Sequence, residues 1–331
     1  MNEAQYRQSI LFLVVLVFMI LLGSVFVGRY PQLGWMSPRL LWEDMLARRL
    51  VFSLRLPRLL TGLLLGMTLS ATGAVLQMVF RNPLVEPGFM GVTQGAAFGA
   101  AIAILWMGRH PLLVELVATL FGLIGLFGSY TLSHHMRFGG WVLRLVLSGV
   151  AVSALFSAGL GILKYVADPL TELPELTFWL LGGLWNVTWR DFWYAVPFAV
   201  VGLTAVIVMR WRVNLLSLND ETAFSLGAAI GQERFVLLFT SVAATAALTS
   251  VSGTIGWVGL IIPHIARRLF GASGHRSIPA AMLLGGAFIV ISDTLARTLL
   301  SGEIPLGILT SAIGAILFMY LMLRSGIQVR S

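Results

Sequence analysis

Residues 81–95 read RNPLVEPGFMGVTQG and form the stretch of the chain that most resembles a catalytic loop. Glu86 stands between two prolines, in a short polar break between two long apolar runs. A carboxylate placed this way could act as a general base. The alternative is a structural turn, because a proline biases the residue before it away from helix. The turn is favoured, with Pro83, Pro87 and Gly88 as hinge positions and Glu86 beside Arg81 or a helix N-terminus.

Several other chemistries are excluded by residue type. The chain has no cysteine, so thiolate catalysis, disulfides and cysteine-based metal sites are ruled out. Its five histidines form no His-Glu-x-x-His pair, and no metal or cofactor site is expected. Lys164 is the single lysine and is followed by Tyr165, so no phosphate-binding GK[ST] loop exists. Any ATP-driven work must come from a partner that holds ATP and magnesium.

Ionisable residues within apolar runs are candidates for function. Asp293 and Arg297 are four residues apart on one helix, which predicts that they pair with each other. Glu115, Asp191 and Glu303 lie near the ends of apolar runs, where ordinary solvation is expected. A proton relay would need several carboxylates at mid-depth, so a proton-coupled secondary transporter is a weaker hypothesis.

Residues 252–271, SGTIGWVGLIIPHIARRLFG, predict an interrupted helix inside the protein. Three glycines precede Pro263, whose ring and missing N–H end or kink a helix. Broken backbone at membrane depth is tolerated only where protein buries it or where it lines a cavity. His264, which follows the proline, is interpreted as a structural polar anchor rather than a ligand, although an enzyme using Glu86 or His264 remains an alternative.

The stretch SLNDETAFSLGAAIGQER, residues 217–234, is the largest polar loop on its side of the membrane. Asn219 or Asp220 can cap a short helix, and Gly227 can end it. The helix carries a small apolar face among mixed charges. Membrane-surface helices favour polar faces rich in lysine and arginine, so a docking helix for a partner protein is the preferred interpretation.

The elements that carry these residues are membrane-spanning helices. The 331-residue chain is 58% hydrophobic with a mean hydropathy of +0.90, and only 11% of its residues are charged, whereas soluble domains carry about 25%. Ten spans are expected, since a crossing helix needs about 20 apolar residues. Their predicted positions are 9–28, 58–80, 88–107, 111–133, 142–166, 191–209, 235–251, 255–270, 277–299 and 305–323. This predicts an all-α polytopic protein with one transmembrane domain over residues 1–331.

The basic residues indicate an orientation. The net charge of +8 could suggest nucleic acid, but the arginines punctuate apolar runs and form no basic face, so a membrane edge is the better interpretation. With both termini in the cytoplasm, twelve arginines fall inside and ten basic residues outside. Residues 29–58 hold six of those ten and are expected to form an amphipathic outer helix. Paired glycines, Gly62 with Gly66 and Gly95 with Gly99, are typical of close helix packing, within one subunit or at a seam between subunits.

The motifs together resemble the FecCD/BtuC family, the permease subunits of type II ABC importers for iron–siderophore, haem and cobalamin. The similar stretches are RLPR (55–58), RNPLVEPGFMGVTQGAAFGA (81–100), LNDETAFSLG (218–227), GTIGWVGLIIPHIARRLFGASGHR (253–276) and EIPLGILTSAIGAILFMYL (303–321). The resemblance implies a homodimer that takes up a metal chelate from a periplasmic or lipid-anchored binding protein by alternating access. Two ATPase subunits then supply the energy, and the complex lies in a bacterial or archaeal cytoplasmic membrane.

The resemblance also implies roles for particular residues. Contacts to the ATPase are expected from the 217–231 segment, at Asn219, Asp220, Glu221, Phe224, Leu226 and Gly227. Binding-protein docking is expected from Arg55, Arg58 and Arg297. A cytoplasmic gate is expected at Val142 and Leu143, where cobalamin importers carry small hydroxyl residues, so the plug here would be apolar. A ferric siderophore is the first expected cargo, then haem or cobalamin, with an oxyanion such as molybdate as the alternative.

Overall fold

The computed structural model describes residues 2–108 and 110–324, and this part of the chain is almost entirely helical. Fourteen α-helices are found in it: α1 Glu3–Phe26, α2 Leu40–Glu43, α3 Met45–Arg49, α4 Leu56–Val79, α5 Val92–Trp106, α6 Pro111–His135, α7 Trp141–Val166, α8 Glu172–Leu181, α9 Trp189–Leu216, α10 Asp220–Ser225, α11 Ile230–Ser252, α12 Val258–Phe270, α13 Gly274–Ala296 and α14 Leu306–Arg324. Two strands of two residues each, β1 Val27–Gly28 and β2 Gly34–Trp35, pair in an antiparallel hairpin. The prediction of an all-α polytopic fold is confirmed.

Eight helices within the described residues are long and apolar enough to cross a membrane. They are α1, α4 with the segment before it, α6, α7, α9, α11, α13 and α14. The remaining two of the ten predicted spans are the shorter helices α5 and α12. At 15 and 13 residues they measure about 22 and 20 Å, less than the hydrocarbon core of about 30 Å. Both therefore depend on neighbouring segments to complete a crossing.

Two regions differ from the sequence-based expectation. Residues 29–58 do not form one amphipathic helix: they contain the hairpin, α2, α3 and a π-helical stretch at Leu50–Arg55 that leads into α4. The helix α8 was not predicted, because ten residues that include Glu172 and Glu175 do not resemble a span. It follows α7 and precedes α9 in the chain, and it contacts both α5 and α14.

Helix α4 is the centre of the bundle. Most of its residues are buried, and it packs against α9, α11, α12 and, most extensively, α13. Backbones approach closely there: a Cβ on Gly66 would lie 2.1 Å from the carbonyl oxygen of Gly285, and one on Gly73 would lie 1.9 Å from that of Gly259. Small residues allow such contact where lipid supplies no hydrophobic drive between helices.

The predicted glycine pairs lie within the subunit. Gly95 and Gly99 face the backbone of α6, and Gly62 faces Leu184 and Ile289 of the same chain. The interpretation of these glycines as contacts within one subunit is therefore confirmed, and the hypothesis of a subunit seam at these positions is wrong.

The N-terminus of α1 and three polar loops share one end of the bundle. Tyr6 packs on Phe270 and His275, and Arg210 donates to His275 Nδ1 over 3.2 Å. At the same end, Arg81 donates to Asn219 Oδ1 over 2.7 Å, which joins the 81–87 loop to the 217–231 segment. The chain therefore places these segments on one side of the membrane, as the arginine pattern predicts. The cytoplasmic C-terminus of the prediction lies outside the described residues.

Candidate functional site

A cavity of about 960 Å³ opens between α5, α7, α8, α11, α14 and the loop that precedes α12. We name it the central cavity. Its polar lining consists of Glu86, Thr93, Gln94, Ser153, Ser157, Lys164, Thr245, Thr249, Thr254 and Ser311. Hydroxyl groups dominate that set, and apolar residues such as Leu69, Val150 and Ile308 complete the wall. The space is large enough for a chelate-sized solute and presents few charges to it.

Glu86 lies at the wall of the central cavity, but its carboxylate serves the backbone. Oε2 accepts a hydrogen bond from the N–H of Trp257 over 3.3 Å, at the first turn of α12. Trp257 has a left-handed backbone, with φ of +72°, which is strained for a bulky side chain. Burial raises the pKa of Glu86, and the Trp257 hydrogen bond opposes that rise. The expected link between Glu86 and a helix N-terminus is present, and that helix is α12.

The 81–91 turn contains the predicted hinge residues. Pro83 lies in the turn after α4, while Pro87 and Gly88 begin a 3₁₀ segment, Pro87–Met90. Two residues of the turn have left-handed backbone: Arg81, with φ of +50°, and Gly91, with φ of +77°, directly before α5. A side chain at Gly91 would also collide with Val152 of α7, at 2.8 Å. The turn interpretation of this stretch therefore rests on visible geometry, whereas motion at the hinge stays a prediction.

The interruption before α12 lies earlier than Pro263. The predicted interruption is present, because residues 253–257 are not helical, but α12 runs through Pro263 to Phe270 and does not end at that proline. Pro263 leaves the Gly259 carbonyl without its helical donor, since proline has no N–H. The carboxamide of Gln77 supplies one, with Nε2 3.2 Å from that oxygen. His264 is half-buried, and its anchor role stays a prediction.

Gln77 was missed by the sequence analysis. It is 4% exposed on α4, and its Oε1 accepts from Arg267 Nη2 over 2.6 Å. An isolated amide inside an apolar span is the signal that could have found it, because buried polar side chains need partners.

The 217–231 segment is a short exposed helix fixed by charge. Asn219 precedes α10 and binds Arg81, while Asp220 pairs with Arg234 at 2.7 Å. Ala223 is fully buried beneath the helix, whereas Phe224 and Leu226 are 74% and 57% exposed. Glu221 is exposed as well, and Gly227 ends the helix with φ of +79°. The predicted cap position and glycine stop are both present, and contact with an ATPase stays a prediction.

The arginine cluster, Arg55, Arg58 and Arg297, lies at the opposite end of the bundle. Each of the three residues is less than a tenth exposed. Arg58 pairs with Asp293 at 2.8 Å and with Glu303 at 2.9 Å. Asp293 therefore has a stronger partner than Arg297, although the predicted pairing of Asp293 with Arg297 is also present, at 3.6 Å.

The other two arginines of the cluster bind backbone oxygens near the end of α1. Arg55 donates to the Val25 carbonyl over 2.7 Å, and Arg297 donates to Val27 over 2.8 Å and also to Ser24. The guanidinium groups of the cluster are thus not free, because each of them already binds groups of its own chain. Docking of a binding protein through them stays a prediction.

Two carboxylates lie differently from their prediction. Glu115 and Asp191 are 5% and 4% exposed, so the expectation of ordinary solvation is wrong for both. Asp191 caps α9 through Thr188, and Arg190 reaches both carboxylates. At the predicted gate, Val142 packs against the chain's own core while Leu143 is half exposed. Of these two side chains, only Leu143 is exposed enough to line a transport path. The gate itself stays a prediction.

Metal chemistry has no visible support in this arrangement. Within residues 2–108 and 110–324, no three His, Asp or Glu side chains are grouped so that they could hold a metal ion. Of Glu86 and His264, only Glu86 lines the central cavity.

Comparison with known proteins agrees with the geometry. Residues 11–324 match the FecCD transport family. The molybdate import system permease protein MolB of Haemophilus influenzae is 36% identical over 99% of this chain and all of its own length. The hemin transport system permease protein HmuU of Yersinia pestis is 34% identical over 98% of this chain and 97% of its own.

Solved structures show the same fold. An inward-facing ABC transporter assigned to the metal-chelate type superposes with a TM-score of 0.88 at 36% identity, covering 96% of this chain and 99% of that one. PsaBC from Streptococcus pneumoniae, at 14% identity and a TM-score of 0.57, covers 85% of this chain and 92% of its own and shares the fold. The chain therefore belongs to the FecCD transport family, whose members are multi-span permeases of ABC importers.

Proposed function

We propose that two copies of this chain form the membrane path of an ATP-driven importer that receives a metal chelate from a binding protein. The observation that carries the proposal is the 217–231 segment. Two large apolar side chains are exposed there: Phe224 on the six-residue helix α10 and Leu226 directly after it. An ion pair and hydrogen bonds hold this helix in place. Rigid exposed anchors of this kind are typical of a docking surface, since exposed apolar groups that are held in place mark interaction sites.

The central cavity supports the second half of the proposal. It is bordered by α7 and α14, two helices that bury little of their surface within the subunit. Their exposed faces offer a second copy of the chain a place to pack, which would close the cavity into a path between subunits. Alternating access then needs ATPase closure to reach α11 and α4, and the 217–231 segment contacts both through Arg234 and Arg81.

The proposed orientation places the 217–231 segment in the cytoplasm and the arginine cluster outside. The cysteine-free chain makes this easy to measure with single introduced cysteines. Cysteine at Glu221 should be labelled by an impermeant maleimide only in inside-out vesicles, and cysteine at Gln32 only in right-side-out cells. The reverse pattern would overturn the orientation.

The cargo of this proposal is a metal chelate, and a ferric siderophore is the first probe. An oxyanion such as molybdate is the second candidate. It is favoured by the hydroxyl-rich lining of the central cavity and by full-length similarity to a molybdate permease. Most of the selection among cargoes is expected to come from the binding protein, which meets the cargo before the permease receives it.

The test is reconstitution with the cognate ATPase and binding protein and with ATP inside the vesicles. Uptake should need all three proteins. The variant Phe224→Ala/Leu226→Ala should lose co-purification of the ATPase and most uptake while it keeps its thermal stability. Leu170→Ala removes a side chain that is 87% exposed elsewhere and is the matched control. Uptake by the permease alone on a pH gradient would contradict the proposal.

A further inference from the structure

We propose that Lys164 makes the central cavity selective for anionic cargo, so that the solute carried by this protein bears net negative charge. The inference rests on the proposed function, because it assumes that the central cavity is part of the transport path. It goes beyond that function by assigning the charge of the solute and the residue that selects it.

The first observation is the position of Lys164. Ser153, Ser157 and Lys164 all line the central cavity from α7. Their spacings of four and seven residues place them on one face of the helix. Lys164 lies in the last turn, is exposed, and forms no ion pair with any residue that the structure describes. An ammonium group without a counter-ion therefore faces the end of the cavity that lies away from the 217–231 segment.

The second observation is that the rest of the described wall holds no second cation and one carboxylate, which is already engaged. Among the described lining residues the other ionisable group is Glu86, whose carboxylate is engaged by the N–H of Trp257 at the positive end of α12. The remaining polar groups are hydroxyls and one amide, which can donate hydrogen bonds to an anion. Asp168 and Glu172 follow α7 but do not line the cavity. Lys164 is therefore the one cationic side chain among the described lining residues, and low-dielectric walls concentrate its field.

The third observation is the choice of residue. Every other basic position in the chain is arginine, so Lys164 is one lysine among 22 basic residues. A lysine at a helix C-terminus has an ordinary explanation, since any cation is favourable there. Arginine would satisfy that preference equally well. A compact and strongly hydrated ammonium attracts anions without the rigid bidentate grip of arginine, and transport needs sites that release their solute.

The test uses single cysteines in the naturally cysteine-free chain, reconstituted in nanodiscs without partners. Ser157→Cys reports on the cavity, with Ser153→Cys as a second position if the first variant folds poorly. Each is reacted with anionic methanethiosulfonate ethylsulfonate and with the cationic ethyltrimethylammonium reagent. The ratio of anion to cation rates should fall at least about twofold, at low salt, when Lys164→Gln is added. Lys164→Arg should keep the ratio of anion to cation rates close to that of the protein with Lys164.

Ser225→Cys on the exposed α10 is the control, and its rate ratio should not respond to Lys164→Gln. An unchanged ratio at both Ser157 and Ser153 would overturn the inference. Because labelling needs neither ATPase nor binding protein, its result stands apart from the proposed function.

Uptake by the complete transporter provides the second arm. With molybdate or ferric citrate as anionic probes, Lys164→Glu should slow uptake about tenfold while ATPase association is unchanged, and Lys164→Arg should restore most of it. Preferential uptake of cyanocobalamin, which has no net charge, would support the proposed function and overturn this inference. Failure of every probe to enter would count against the proposed function, and the labelling ratio would still decide the selectivity of the cavity.

Discussion

Gln77 of α4 and Arg267 of α12 are joined by a hydrogen bond of 2.6 Å, and the same carboxamide caps the carbonyl that Pro263 leaves free in α12. One side chain thus binds the carbonyl freed by a proline and also accepts a hydrogen bond from a partly buried arginine. The arrangement explains how a short helix with an internal proline remains continuous beside the central cavity.

Gln77→Leu should destabilise the protein by about 2–6 kcal/mol, because it leaves a partly buried guanidinium N–H and the Gly259 carbonyl unpaired, at about 1–3 kcal/mol each. The thermal midpoint in detergent, followed by tryptophan fluorescence, measures the loss. Gln94→Leu makes the same change at a half-buried position on α5 and should cost much less. Equal midpoints for the two variants would contradict this role of Gln77.

Asp293→Ala should destabilise the protein by about 3–5 kcal/mol, because it leaves Arg58 buried without its closest carboxylate. The double variant Arg58→Met/Asp293→Leu should be less damaged than Asp293→Ala, since it removes both charges. Arg7→Met breaks the exposed pair with Glu3 and should change the midpoint by less than about 1 kcal/mol. If Arg58→Glu weakened binding-protein docking without loss of stability, Arg58 would have the docking role that the family resemblance implies.

Gly73→Ala and Gly66→Ala should lower stability or prevent folding, because each added methyl group would meet a backbone oxygen at about 2 Å. Alanine normally stabilises a helix by about 0.5–1 kcal/mol relative to glycine, so the expected sign is reversed. Gly161→Ala in α7, where nothing lies within 4 Å, is the control and should be neutral or stabilising. Yield in detergent and the thermal midpoint give the comparison, and a tolerated Gly73→Ala would show that α4 and α12 can separate.

Glu86→Gln should be more stable than the wild type at pH 7 and should depend less on pH. Burial raises the pKa of Glu86 above its ordinary 4.5. The folded state is therefore favoured below pH 4.5, and that contribution is lost as pH rises through the raised pKa. Glutamine keeps an acceptor for Trp257 and carries no charge. Midpoints measured between pH 4.5 and 8 test this, with exposed Glu43→Gln as control. A less stable Glu86→Gln at pH 7 would mean that α12 needs the negative charge.

The spans were predictable because lipid demands long apolar runs, and most predicted boundaries fall within a few residues of the helix ends. The partners of the buried polar side chains could not be predicted from the sequence. Arg58 meets Asp293 from 235 positions away, and no local pattern reveals which cation a buried carboxylate will choose. The helix α8 was missed for a related reason: it is short and acidic at its start, and its neighbours rather than its length keep it in place.

The candidate site divides in the same way. Local sequence was enough to infer that α10 begins after Asn219, that it ends before Gly227 and that Glu86 has a structural role. The burial of Glu115 and Asp191 could not, since it depends on how α6 and α9 meet. Lys164 was noted only for the nucleotide chemistry it fails to support, and its place at the central cavity required the arrangement of α7 among its neighbours.

The backbone contacts of Gly66 with Gly285 and of Gly73 with Gly259 have a mechanical consequence. Such contacts fit at one axial register, because a shift of even one residue would drive a side chain into the opposing backbone. Helices α4, α12 and α13 are thereby locked into a strut that resists sliding and rotation. We therefore expect α4, α12 and α13 to move together as one rigid unit. The conformational change of a transport cycle is then expected in helices such as α14, which pack against this unit less extensively.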